Sequence, residues 1–242
     1  MKSLALVLLS SFCIFVAGYT DAADAADAAE SPQQIFEKVA SAYGAAAPTA
    51  IRETGSTTSE VRGRGTLLRQ YKAPDRFRIE IGYASGVEMR AMVGTQIWKD
   101  GRPANSLLRG AISLQAARVA LPWNILARQS AAIDLGTGSN AEGKTVRAFE
   151  IPLEDRLKLI VEIDPETGYI LRSRGILTSS GNTVEFSTVY SDFRKENGRV
   201  RAGKEEQFAL GQNIGHTVIE KTEYPDNIPD SVFMPPSPEI ML

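Results

Sequence analysis

The sequence predicts a mainly β protein with a few helices, an α+β fold whose antiparallel strands form one strongly curved sheet. After Thr49, most of the chain alternates apolar and polar residues, which is the period of half-buried strands. Turn signals lie between these runs, and short connections join antiparallel neighbours. We expect about ten strands, which is more than a flat open sheet usually carries, so the sheet has to curve.

One amphipathic helix opens the folded part of the chain. Ser31 is a suitable N-cap, Pro32 suits the first helical position, and Gln34 lies three residues after the cap, as in a capping box. Apolar residues then recur at helical spacing up to Gly44, a residue type that commonly ends helices. These residues are Ile35, Phe36, Val39, Ala40 and Tyr43. The pattern predicts one helix with a single buried face.

Three runs show the strand alternation most clearly: Phe77 to Ile81, Leu157 to Ile163 and Val184 to Tyr190. Two further segments, 65–71 and 145–151, carry apolar residues at both parities, which indicates two partly buried faces. The turn signals between the runs are Ala73-Pro74-Asp75, Lys99-Asp100-Gly101, Glu142-Gly143, Asp164-Pro165-Glu166-Thr167-Gly168, Ser180-Gly181-Asn182 and Asn197-Gly198.

The meander is interrupted once, between Ser106 and Arg128. Leu108, Ile112, Gln115 and Val119 recur there at helical spacing, and Pro122 suits the start of a second helical segment. Two short helices are therefore predicted inside a β protein. They either pack permanently over one face of the sheet, as helices commonly do, or form a movable lid.

The first residues have the features of an export signal. Met1 and Lys2 precede an apolar run from Leu4 to Val16, which is too short to span a bilayer comfortably. We expect a signal peptide over 1–22, an Ala/Asp-rich linker over 23–31 and one domain over 32–242. Cys13 allows a lipoprotein signal as an alternative, but Phe12 stands where a small residue is needed and the apolar run continues beyond the cysteine.

Composition excludes several classes of function. A formal net charge of −2 offers no field for nucleic acid. One cysteine and one histidine, His216, exclude disulfide frameworks and zinc sites built from several Cys or His ligands. His216 lacks a nucleophile motif, so it is expected to be structural or to line a cavity, and a hydrolase is the weakest of the functions considered. We therefore expect no catalytic residues, no metal and no cofactor.

Several phrases, taken in their order along the chain, resemble the LolA-like family of periplasmic lipoprotein and lipid carriers. They are Tyr71-Lys72-Ala73-Pro74 before Arg76-Phe77, Thr95-Gln96-Ile97-Trp98, Pro122-Trp123-Asn124-Ile125-Leu126-Ala127-Arg128, Ile163-Asp164-Pro165-Glu166-Thr167-Gly168, Tyr190-Ser191-Asp192-Phe193-Arg194, and Ile228-Pro229-Asp230-Ser231-Val232-Phe233-Met234-Pro235-Pro236. The resemblance spans nearly all of residues 32–236.

The resemblance implies an unclosed, highly curved antiparallel barrel whose concave face is apolar and covered by helices. It further implies a periplasmic carrier that acts as a monomer. Such a carrier holds the acyl chains of a lipid or lipoprotein in a hydrophobic cavity and exchanges them with envelope donor and acceptor proteins. A sensor of lipid or lipoprotein with the same fold is the alternative. Carriers of this family commonly have Arg directly before the turn proline, whereas this chain has Ala73 there and Lys72 one place earlier, facing the opposite side of the strand.

The predicted site consists of the large apolar residues of the helical interruption together with one strand tryptophan. They are Trp98, Leu108, Ile112, Leu121, Trp123, Ile125 and Leu126. For the tryptophans, simple filling of the core is the alternative. The basic stretch from Arg194 to Lys204 is predicted to be a solvated hairpin, with docking to anionic headgroups or an acidic partner as the alternative.

Overall fold

The computed structural model describes residues 30–154, 156–179, 182–196 and 198–235. They form one antiparallel sheet of thirteen strands with the order β6-β5-β4-β3-β2-β1-β13-β12-β11-β10-β9-β8-β7. The strands are β1 (Ala50–Ser59), β2 (Gly63–Lys72), β3 (Arg76–Tyr83), β4 (Gly86–Val93), β5 (Gln96–Lys99), β6 (Arg102–Pro103), β7 (Ile133–Ser139), β8 (Thr145–Glu154), β9 (Leu157–Ile163), β10 (Ile170–Ser179), β11 (Asn182–Glu196), β12 (Arg199–Ala209) and β13 (Gln212–Glu223). The two ends of the order, β6 and β7, are not paired with each other, which confirms the predicted unclosed sheet.

The number of strands exceeds the expected ten or so because the edge strands lack the alternating pattern. Strand β6 has only two residues, and the side chains of β7 are nearly all exposed. Neither segment buries one face, so neither shows the period-two signal of a half-buried strand.

Three helices accompany the sheet: α1 (Pro32–Tyr43), α2 (Ser106–Val119) and α3 (Leu121–Ala127). Helix α1 begins as predicted. The Ser31 hydroxyl accepts from the Gln34 amide, and the Gln34 side chain accepts from the Ser31 amide at 2.8 Å, which completes the capping box. The buried face of α1 consists of Ile35, Phe36, Val39 and Tyr43, and Gly44 follows with a φ of 84°.

Helix α2 shows that the sheet is strongly curved. It contacts β3, β4 and β5 on one side of the sheet order and β9 and β10 on the other. In a flat sheet, β3 and β10 would lie about 29 Å apart, because six strand spacings of about 4.8 Å separate them. A helix is only about 10 Å wide, so the sheet has to wrap around α2. We call the face on which the helices pack the inner face.

The apolar core lies in two parts of the inner face, one on each side of the sheet order. Phe77 and Ile79 belong to the part formed by β2–β5, whereas Phe149 and Leu159 belong to the part formed by β8–β10. At Gly175 the helix and the sheet approach closely, since a Cβ atom there would lie 2.4 Å from the Leu114 side chain. Because Gly175 has no side chain, α2 can pack closely against β10 at this position.

The outer face is partly covered by the end of the described chain. Ile228 and Phe233 are fully buried there against Ala50. Lys72 Nζ binds Asp230 Oδ1 at 2.6 Å, so Lys72 faces outward while its neighbour Tyr71 packs into the inner core. The predicted signal peptide and most of the linker lie outside the described residues. Within the part of the chain that is described, we found no helix with the length and hydropathy required to cross a membrane.

Candidate functional site

Two adjoining cavities lie between α2 and the central strands of the inner face. The outer cavity has a volume of about 470 Å³ and the inner cavity about 180 Å³. Residues that line both are Arg90, Gln115, Arg118, Thr188, Gln207 and Ile214. A much smaller cavity of about 40 Å³ continues from the inner one and shares Arg118, Tyr190 and Glu205 with it. The three cavities therefore adjoin one another beneath the helix.

The outer cavity is mainly apolar. Helix α2 contributes Leu107, Leu108 and Ala111, and the facing strands contribute Phe186 and Phe208. Leu107 is 48% exposed and Ile214, at the rim, is 44% exposed, so the outer cavity opens toward solvent through apolar side chains. Apolar walls with a few polar groups at one end are typical of sites for hydrophobic ligands.

The inner cavity, in contrast, borders a buried network of ion pairs. Glu53 on β1 accepts from Arg69 Nε at 2.6 Å and also from Arg201. Arg69 in turn donates to both carboxylate oxygens of Glu205, at 2.7 Å and 3.0 Å. Two positive and two negative side chains thus alternate across β2, β1 and β12, and the network is neutral as a whole.

This network keeps its charges by mutual pairing. Burial by itself raises the pKa of the Glu53 carboxyl, but the guanidinium groups of Arg69 and Arg201 outweigh burial and hold that pKa below its usual range. Burial likewise acts to lower the pKa of Arg69, and the carboxylates of Glu205 and Glu53 reverse this effect. Glu53 and Arg69 are therefore charged at neutral pH.

Arg118, in the last turn of α2, differs from these arginines. Its Nε donates to Ser173 Oγ at 3.0 Å, and its Nη2 donates to the Phe186 carbonyl oxygen at 2.6 Å. Within the described part of the chain, no carboxylate oxygen lies within 4 Å of its guanidinium nitrogens. Burial lowers the pKa of Arg118, although a guanidinium remains protonated in proteins. A positive charge without a close counter-charge thus lies in the wall of the cavities.

Gln115 lies one turn before Arg118 and lines the same two cavities. Its Oε1 is buried and has no hydrogen-bond partner within the described residues. Buried polar atoms in folded proteins nearly always have a partner, so an unpaired one beside a cavity points to a partner that the ligand or water supplies.

The structure places the predicted site residues in three kinds of position. Leu108 lines the outer cavity, and Leu121 lines the smallest one. Ile112 and Ile125 are fully buried in the core, where they fix the helices on the sheet, and Leu126 packs against the same core. These three residues line none of the three cavities described above.

The two tryptophans do not share one role. Trp123 is buried in the core, its Nε1 donates to the Gly44 carbonyl at 2.8 Å, and the Arg199 guanidinium lies 5.4 Å from its ring centroid. Trp98 is paired with Ala91, on the strand face opposite Ile97, whose side chain packs into the inner core. The alternation of β5 thus directs Trp98 away from the inner face, which corrects the prediction that it lines the cavity.

The histidine and the basic stretch have more ordinary surroundings. His216 is half-buried and lies on the face of β13 opposite Thr217, which lines the inner cavity. The stretch from Arg194 to Lys204 does form a hairpin of β11 and β12, but its description as solvated is only partly correct. Arg199 stacks on Trp123 and Arg201 binds Glu53, so both side chains pack inward.

The polar side of the site was not predicted from the sequence. An apolar inner face was expected, whereas the network residues and Arg118 place charge at its centre. One signal was available, since Gln115 lies on the same helical stripe as Ile112 and Val119, and a polar residue on an apolar stripe often faces a cavity or a partner.

Comparisons with known proteins agree with this architecture. No family model matches the sequence, and no curated protein sequence matches it. The structure is similar to that of a LolA superfamily protein from Nitrosomonas europaea, with a TM-score of 0.56 and 15% identity over 85% of this chain and 98% of that one. This chain has a LolA-like fold. A DUF1329 family protein from Desulfovibrio piger is also similar, with a TM-score of 0.51 and 9% identity over 83% of this chain and 96% of that one.

Proposed function

We propose that the protein is a periplasmic carrier that binds the acyl chains of a lipid or lipoprotein beneath α2 and transfers them between envelope partners. The observation that carries this proposal is the outer cavity of about 470 Å³, whose walls include Leu107, Leu108, Ala111, Phe186 and Phe208. Its volume lies within the range of about 300–1,000 Å³ that is usual for sites of small ligands.

Burial of a chain in this cavity supplies enough free energy for binding. Each methylene removed from water contributes about 0.8 kcal/mol, so ten methylenes contribute about 8 kcal/mol before the loss of freedom on binding is subtracted. No bond has to be made or broken for such a ligand to be carried. The proposal therefore assigns no catalytic residue, metal or cofactor, and release follows when a partner binds the cargo better.

The proposed binding residues are a revised form of those predicted from the sequence. Leu108 and Leu121 are retained because they line cavities, and Leu107, Ala111 and Phe186 are added. Ile112 is not retained, because its side chain is fully buried. A charged residue at this position would disturb the packing of the core and would not test ligand binding. The apolar run from Leu4 to Val16 supports export to the periplasm. The exposed apolar rim of the outer cavity, at Leu107 and Ile214, supports the transfer of acyl chains to and from the cavity.

Filling the outer cavity tests the proposal. Ala111 lines this cavity, so Ala111→Trp should exclude an acyl chain, whereas the exposed Ala127 on α3 offers a matched control in Ala127→Trp. We expect native mass spectrometry of the purified wild type to show bound lipid. We also expect it to extract a fluorescent acyl lipid from vesicles. Ala111→Trp should lower both signals at least tenfold, and Ala127→Trp should leave them within twofold.

Two results would overturn the carrier function. One is a wild type that neither copurifies with lipid nor extracts the fluorescent lipid. The other is an Ala111→Trp variant that is folded by circular dichroism and binds lipid as well as Ala127→Trp does.

A further inference from the structure

The charges around the inner and outer cavities are unequal. Among the described residues that line the inner or outer cavity, Arg69, Arg90 and Arg118 are positive and only Glu205 is negative. Arg69 is already bound to Glu53 and Glu205, and Arg90 is bound to Glu88. Arg118 is the lining cation that lacks a carboxylate within 4 Å in the described part of the chain.

The hydrogen bonds of Arg118 leave donors free for a ligand. A guanidinium has five N–H groups, and the contacts to Ser173 and to the Phe186 carbonyl use two of them. The Nη1 atom makes no hydrogen bond to any described residue. Both fixed contacts hold the planar group in place in the wall of the cavities, so its free donors are positioned before a ligand arrives.

Helix α2 arranges the two kinds of wall in sequence along its length. Leu107, Leu108 and Ala111 in its first half line the apolar outer cavity. Gln115, with its unpaired Oε1, and Arg118 follow in the second half, where the inner cavity begins. One face of one helix thus presents an apolar end near solvent and a cationic, polar end deeper inside.

We propose that the polar end binds the acidic headgroup of an amphiphile, a carboxylate or a phosphate, whose acyl chain lies in the outer cavity. This inference rests on the proposed carrier function and narrows its cargo to anionic lipids. A guanidinium matches the geometry of both oxyanions and binds them by charge-assisted hydrogen bonds. The headgroup would neutralise Arg118, and a hydroxyl or amide N–H group beside it would reach Gln115.

The test compares ligands that share a chain but differ in charge. Oleic acid and oleyl alcohol have the same chain length, and acetate and inorganic phosphate supply the anion without a chain. Binding to the full mature protein is measured by titration calorimetry for the wild type, Arg118→Met and Arg109→Met. Arg109 lies on the same helix and is exposed, and the Thr95 carbonyl is the only hydrogen-bond partner of its side chain among the described residues, so it is the matched control.

We expect the wild type to bind oleate at least tenfold more tightly than oleyl alcohol. Arg118→Met should weaken oleate binding by about 10- to 100-fold, the range of a charge-assisted hydrogen bond, and change oleyl alcohol binding less than threefold. Arg109→Met should change neither. Arg118→Lys keeps the charge and should retain most of the preference for oleate, which provides a second test if Arg118→Met fails to fold.

Three results would contradict this inference, and they distinguish a failure of the headgroup site from a failure of the carrier function. Equal binding of oleate and oleyl alcohol by every variant would overturn the headgroup site and leave the carrier function standing. Binding of acetate or phosphate as tight as that of oleate would show a site for free anions and would overturn the assignment to a lipid. If neither chain-bearing ligand binds the wild type, the carrier function itself fails.

Discussion

The two flanks of the inner face and its centre bury very different side chains. On the flanks, residues such as Phe77 on β3 and Leu159 on β9 form the apolar core with α2. At the centre, β1 and β2 bury Glu53 and Arg69, and Arg69 binds both Glu53 and Glu205, which lies on β12. The sheet therefore changes from apolar to ionic and back again along the strand order.

This difference bears on the inner cavity, which lies where the ionic centre meets α2 and is lined by Arg69, Glu205 and Arg118. Apolar side chains on the flanks pack directly against the helix, as the close approach of Leu114 to Gly175 shows. At the centre, the ion pairs satisfy one another within the sheet and hold long side chains in fixed positions, so they do not collapse onto α2. A uniformly apolar face would close this space, because protein interiors pack densely.

Replacing Glu53 should have the largest effect on stability. The Glu53→Gln variant leaves Arg69 and Arg201 buried without their shared carboxylate, and breaking a buried pair in this way costs about 3–5 kcal/mol. Urea denaturation measures the loss. Glu220→Gln, at an exposed position on β13, is the control and should change stability by less than about 0.5 kcal/mol. A loss below about 1 kcal/mol for Glu53→Gln would contradict a central role for the network.

Truncating the apolar flank should cost nearly as much, for a different reason. Leu159 is fully buried, so Leu159→Ala removes apolar contacts and leaves a cavity, with an expected loss of about 2–5 kcal/mol. Leu210→Ala is the control, because Leu210 is 71% exposed at the β12–β13 turn. Urea denaturation of both variants is the measurement, and equal losses would show that the flank does not pack as described.

Low pH should reduce the contribution of the ionic centre to stability and leave that of the apolar flank unchanged. The pKa of Glu53 lies below its usual range in the folded protein, so its contribution to stability is complete at neutral pH. That contribution declines as the pH falls below about 4.3, the ordinary value for Glu, toward the folded pKa. The stability difference between wild type and Glu53→Gln should therefore shrink between pH 7 and pH 3, whereas the difference for Leu159→Ala should stay constant. Urea denaturation at several pH values measures both, and parallel curves would contradict the prediction.

The flanks and helices were predictable from the sequence because their signals are local. The capping box at Ser31 and the alternation in β3 and β9 each lie within a few residues. The ionic centre was not predictable, since Glu53 and Arg69 meet Arg201 and Glu205 only through the pairing of distant strands. From the sequence alone, a charged residue in a strand is expected to face solvent. Only the pairing of the strands shows that these residues face inward.

The smallest expected effect concerns a neutral polar pair at the centre. Thr57 Oγ1 lies 3.1 Å from Thr217 Oγ1, and the latter also accepts from Gln207 Nε2 at 3.1 Å. Thr57→Val keeps the shape of the side chain and removes two hydrogen bonds, one with Thr217 Oγ1 and one to the His216 carbonyl oxygen, while Thr217 retains Gln207. We therefore expect a loss of about 1–2 kcal/mol by urea denaturation, independent of pH. A loss as large as that of Glu53→Gln would mean that the centre depends on its polar packing in general, and the distinction between an ionic centre and an apolar flank would then have to be abandoned.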